Sequence, residues 1–67
     1  MVLLPRLREH RTRAALEQGE LADLAGVHRN TLSRLERGYE ATPATARTLA
    51  KALRLQPADL MQEDFRG

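Results

Sequence analysis

No cysteine occurs anywhere in the chain. Disulfides and thiolate-bound zinc are therefore excluded, and the composition suits a reducing compartment. Histidine is nearly as scarce. His10 and His28 are the only two, too few for a conventional zinc cage, so neither a metal nor a cofactor is expected. Tyr39 and Phe65 are the sole aromatic residues, and β-branched residues are few, which argues against a sheet. No apolar run approaches the roughly 20 residues of a membrane-spanning helix. The opening "MVLLP" is apolar but short, has no basic residue before it and is stopped by Pro5, so no secretory signal is expected. The expectation is a soluble, cytoplasmic protein without membrane contact.

What remains is dominated by Ala, Leu, Arg and Glu, a helix-forming set. With 67 residues, a single domain spanning 1–67 is expected, its core at about 3–62 and a short tail at 63–67. So small a domain buries only about 60% of the surface its unfolded chain exposes. With disulfides and metal excluded, oligomerisation is the support left open. The net charge is +2, but its distribution says more. Residues 1–54 hold ten Lys or Arg against six Asp or Glu, whereas 55–67 hold Arg66 against Asp59, Glu63 and Asp64. A basic body with an acidic tail suits a polyanionic partner.

Turn signals at Gly19, Gly26, Gly38, Pro43 and Pro57 cut the chain into five short helical pieces. The first is expected over about Pro5–Ala15, with Pro5 at its first helical position and Leu4, Leu7, Arg11 and Ala14 on one face. The second is expected over Gln18–Ala25 with Leu21, Leu24 and Ala25 inward and Ala22 at the margin. The third is expected over Arg29–Arg37. Thr42 caps a fourth that opens with Pro43 and carries an apolar stripe of Ala46, Leu49, Ala50 and Leu53. A fifth begins at Pro57. The fold class is all-α.

The stretch "GVHRNTLSRLERG", residues 26–38, carries the functional signal. At about 100° per residue, Arg29, Ser33, Arg37, Asn30 and Arg34 fall in one arc. Thr31, Leu35, Leu32 and Glu36 fall in the opposite one. Burying the leucine arc leaves three guanidinium forks, an amide and a hydroxyl facing outward. Gly26 permits a sharp turn from the preceding helix, and Val27 plugs it. This is helix-turn-helix spacing, in which the second helix enters the major groove. That groove is about 12 Å wide, matching a helix about 10–12 Å across.

Three pieces in order, "Q-x-E-L-A-x-x-A-G-V", "R-x-T-L-S-R-L-E-R-G" and "T-A-R-x-L-A-K-A-L", resemble the Cro/CI (XRE-type) family of helix-turn-helix DNA-binding domains. The resemblance spans roughly residues 3–62 and implies a five-helix, lambda-repressor-like fold. It also implies residue roles. Arg29, Asn30 and Arg34 match exposed recognition positions; Arg suits guanine and Asn suits adenine through bidentate hydrogen bonds. Ser33 lies central on that face. Gln18 matches a phosphate contact at the start of the second helix, where the helix dipole favours an anion. Arg37 is a further phosphate candidate. His28 stands where the family has Ser or Thr; it reads either as an exposed turn residue or as a phosphate donor, and His is a poor cap. Thr31 is either near the phosphate wall or a boundary residue beneath the second helix. Tyr39 offers one donor in a loop where Glu40 repels phosphate. The family pairs the positions of Arg11 and Glu36, so a partly buried ion pair holding the recognition helix to the first helix is implied. Arg6, Arg8 and Arg13 read as a solvated face adding nonspecific attraction. Leu55, Leu60, Met61 and Phe65 are candidates for a homodimer patch, or else close the open end of the core.

Three departures from the family pattern stand out. Glu17 replaces the usual Ser or Thr cap, Gly19 weakens the first turn of the second helix, and Arg54 stands where glycine often ends the fourth, implying a left-handed backbone there. The leading expectation is a sequence-specific, dimeric, repressor-like regulator whose partner is double-stranded DNA, with no small-molecule effector. The alternative is a protein-interaction module, or an antitoxin that also binds a toxin or another regulator. An enzyme is not expected, because there is no catalytic cysteine, glycine-rich phosphate loop or carboxylate pair.

Overall fold

The structure is a computed structural model and describes residues 1–61. Five helices follow one another: α1 (Leu7–Arg13), α2 (Gln18–Ala25), α3 (Arg29–Glu36), α4 (Pro43–Ala52) and α5 (Pro57–Met61). The fold is all-α, as composition and periodicity imply. Leu4, Leu7, Leu21, Leu32, Leu35, Leu49 and Leu60, with Ala22, Ala41, Ala46 and Ala50, form one core. Among the described residues it contains no aromatic ring, and its alanines let α2 pack on both α3 and α4.

The helix starts follow from local chemistry. Thr42 Oγ1 accepts the Thr45 N–H at 3.1 Å, and Pro43 fills the position where a missing donor costs nothing. Glu20 reaches back to accept the Glu17 N–H at 2.8 Å, so an acidic pair opens α2 in place of a hydroxyl cap. Gln56 N–H is taken by Asp59 Oδ2 at 2.9 Å ahead of α5.

The helix ends share one motif. After each of the first four helices a residue adopts positive φ: Ala15 (59°), Gly26 (70°), Gly38 (106°) and Arg54 (60°). The next N–H then bonds a carbonyl five residues back: Leu16 to Arg11 (3.2 Å), Val27 to Ala22 (3.0 Å), Tyr39 to Arg34 (3.1 Å) and Leu55 to Ala50 (2.8 Å). This satisfies carbonyls the helix leaves open and folds the chain back on itself. Only two of the four are glycine, so Ala15 and Arg54 hold a conformation that disfavours a Cβ.

Three expectations are revised. Pro5 is not the first helical residue: Leu7 N–H closes a turn onto Leu4 O at 3.1 Å, and Arg6 N–H bonds Leu60 O at 3.1 Å, drawing this segment onto α5 before α1 begins. Consequently α1 is shorter at both ends, and Ala14 is exposed. Leu24 is 64% exposed rather than inward. The buried side of α2 is centred between Leu21, Ala22 and Ala25, and Leu24 lies about 100° from that centre. The start of the chain also makes a contact that the sequence does not announce. Val2 and Ala41 exchange two backbone hydrogen bonds of 2.7 Å, pinning the loop after α3 to the start of the chain.

On the outer side of α1, Glu9 accepts Arg6 Nε and Nη2 at 3.1 and 3.0 Å and pairs with Arg13 Nη2 at 2.8 Å. The Arg6 hydrogen bond, reinforced by both positive charges, holds this carboxyl below its ordinary range. Arg6 and Arg13 are thereby partly neutralised, which leaves less of the expected nonspecific attraction on this face. The left-handed residues yield a stability prediction. Arg54→Gly should stabilise the domain by about 0.5–1 kcal/mol, since relief of the Cβ clash exceeds the added chain entropy of glycine. In a domain this small that is a rise of several degrees in Tm by calorimetry; a lower Tm contradicts the account.

Candidate nucleic-acid interface

The turn between α2 and α3 is built from three residues. Gly26 takes φ 70° and ψ 30°, half-buried Val27 packs against the core, and His28 begins the next helix in extended backbone. Contrary to the expectation of a poor cap, His28 Nδ1 accepts the Asn30 N–H at 3.0 Å. An accepting ring nitrogen carries no proton, so the imidazole hydrogen sits on Nε2, on an exposed side chain. His28 thus replaces a hydroxyl cap in geometry and keeps a donor for an external acceptor.

Along α3 the leucine and arginine sides separate, but Thr31, expected on the inward arc, lies outward. Leu32 and Leu35 are buried, while Arg29, Asn30, Thr31, Arg34 and Arg37 are exposed. Ser33 is half-buried, at the shoulder of the face rather than on its crest. The helix closes at Glu36, and Arg37 is its cap, with its N–H on Arg34 O at 3.0 Å. Among the described residues, no ion pair engages Arg29, Arg34 or Arg37. Tyr39 is 60% exposed just beyond, and its N–H is held by Arg34 O.

The underside of α3 is tied down by charge. Arg11 Nε meets Glu36 Oε2 at 2.5 Å and Nη2 meets Oε1 at 3.1 Å, a two-pronged pair with side chains only 11% and 4% exposed. The third guanidinium nitrogen, Nη1, donates to Leu16 O at 2.8 Å. The left-handed turn at Ala15 precedes that carbonyl. Glu36 Oε1 also accepts Gln18 Nε2 at 2.9 Å. Sequence reasoning gave Gln18 an outward role only; no local pattern reports a bond across 18 positions of chain.

The candidate dimer residues do not act as a set. Leu60 is 0% exposed and its carbonyl is used by Arg6, so it has no surface to offer a second subunit. Leu55 and Met61 are half-buried against the core. Phe65 lies outside the described residues. Met61 borders an apolar hollow of about 250 Å³ with Val2, Pro43, Ala46, Arg47 and Pro57.

Comparison with known proteins agrees with this geometry. The helix-turn-helix family profile matches residues 7–60. The restriction-modification controller protein C.AhdI from Aeromonas hydrophila is similar at 39% identity and a TM-score of 0.79, over 82% of this chain and 85% of that one. A hydroxyethylphosphonate dioxygenase (a Y98F mutant) contains a similar portion, at 31% identity and a TM-score of 0.80 over 98% of this chain; it spans 15% of the dioxygenase chain. No curated protein matches. The chain belongs to the helix-turn-helix family of the Cro/CI type.

The buried pair makes a prediction for stability. Glu36→Ala leaves the Arg11 guanidinium uncompensated and should cost about 3–5 kcal/mol. Thermal melts followed by circular dichroism should show a marked fall in Tm; an unchanged Tm contradicts the role given to the pair.

Proposed function

We propose that this member of the Cro/CI helix-turn-helix family is a sequence-specific regulator of transcription that binds double-stranded DNA as a homodimer, acts as a repressor and works in the cytoplasm. Membership of the family supports DNA binding and regulation. The observation that carries the finer reading is the exposed arginine face of α3, without an ion pair among the described residues and backed by buried Leu32 and Leu35. In this reading α3 lies in the major groove. Arg29, Asn30 and Arg34 meet base edges, Ser33 permits close approach, and Gln18, His28, Thr31, Arg37 and Tyr39 donate to phosphates. All five phosphate candidates carry a side-chain donor, as an acceptor-only phosphate requires. Gly19 fits the same picture. Its chain neighbours and the backbone of its own helix aside, a Cβ there would meet no atom of the described residues within 4 Å, and its φ is not in the left-handed range. Neither packing nor backbone geometry calls for glycine in the first turn of α2, whereas a closely approaching phosphate backbone does.

The similar controller protein C.AhdI supports a regulatory role for a chain of this size. No catalytic function, cofactor or small-molecule effector forms part of the reading. A second reading is supported by the dioxygenase match, since the same fold there is part of an enzyme chain. In that reading the arginine face docks an acidic protein surface, such as a toxin or another regulator.

Selection from a random duplex pool decides between them. The DNA reading predicts enriched half-sites related by two-fold symmetry, centred about 34–36 Å apart. It also predicts affinity that falls linearly on a log–log plot against salt. Absence of enrichment, with no duplex bound at low salt, contradicts it and favours the protein partner.

A further inference from the structure

Resting on the DNA reading above, we propose that Glu36 is a positioning residue for Gln18. Its carboxylate orients the Gln18 amide so that one N–H is held inside the protein and the other is presented to a phosphate at the start of α2. Arg11 reaches the interface through the same relay, without touching DNA.

The argument begins with what each group can do. An ionised carboxylate only accepts, so Gln18 must turn its NH₂, not its carbonyl, toward Glu36. Glu36 has no freedom to swing away, because the Arg11 fork grips both of its oxygens and is itself anchored on Leu16 O. The amide plane is therefore set by a bond of 2.9 Å to a fixed partner. An amide nitrogen bears two hydrogens, and Glu36 takes one. Gln18 is half-buried as a residue, so part of it meets solvent, and in this proposal the second hydrogen is offered there. A free glutamine would sample many rotamers and both amide orientations. Here that ordering precedes DNA binding, which raises affinity by removing a cost otherwise met on association. The bond also joins α2 to α3 beneath the face that reads the duplex, so the phosphate donor and the recognition helix move as one body.

The test is a double-mutant cycle on duplex affinity, using the full chain and a duplex recovered by the selection above. Gln18→Met should weaken binding about tenfold. Glu36→Gln should weaken it comparably in the wild-type background and not further in the Gln18→Met background. Loss of the carboxylate changes the net charge equally in both backgrounds, so that effect cancels in the cycle. Equal losses in both backgrounds, or no loss in the wild type, overturn the positioning role. Should Glu36→Gln fail to fold, the side-chain amide signals of Gln18 in the unmutated protein serve instead. One hydrogen should be shifted and protected from exchange before DNA is added, and the other should move on titration with the duplex. A pair at free-glutamine positions overturns the proposal. If duplexes bind but the cycle is additive, only the positioning role falls; if no duplex binds, the functional reading falls and takes this role with it.

Discussion

One carboxylate governs the orientation of α3. Glu36 is almost fully covered and receives donors from α1 and from α2 while sitting on α3. The leucine and alanine core supplies most of the driving force for folding, but apolar packing has no direction and tolerates small slides between helices. Hydrogen bonds from Arg11 and Gln18 to a single group do have direction. They fix how far α3 is rotated about its axis, and thereby which side chains point outward. Burying this pair is no guarantee of net stability, because desolvation offsets much of its attraction. Its value lies in specifying one arrangement.

The same economy governs the chain reversals. Four helix ends use one left-handed motif, two of them without glycine. At Ala15 the strained turn precedes Leu16, whose carbonyl meets Arg11. At Arg54 no comparable contact is evident, so the strain there is unexplained. In a small domain without cysteine, and so without a disulfide, each such conformation removes a sizeable share of a narrow stability margin. The bridge between Val2 and Ala41 recovers some rigidity by fixing the loop after α3, which in turn steadies the end of α3.

Much of this was legible in the sequence where the determinants are local. The end of α2 and the start of α4 follow from Gly26, Thr42 and Pro43, whose effects act within a turn. The leucine side of α3 and its arginine side follow from periodicity, whereas Thr31 and Ser33 at the margins are shifted, Thr31 outward and Ser33 toward the core. Determinants that reach across the chain were less visible. Leu24 was misplaced because α2 packs on α4 as well as α3, which shifts its buried side toward small Ala22. Pro5 was misplaced because Leu60, far away in sequence, captures the Arg6 N–H. The pairing of Arg11 with Glu36 came from resemblance to a family, not from periodicity. The Gln18 bond to Glu36 came from neither, and it reassigns half of that amide from the ligand to the fold.

Among the described residues α3 is tied down by its underside and carries no ion pair on its crest, and in the proposed reading that crest meets a polyanion. The central claim is that the uncommitted crest is the contact surface. Backbone amide shifts, followed by NMR as a selected duplex is titrated in, test this most directly. The account predicts that the largest changes fall on Gln18 and Gly19 and on His28 to Arg34, with α5 unmoved. Changes concentrated on α4 and α5, with α3 silent, would contradict it.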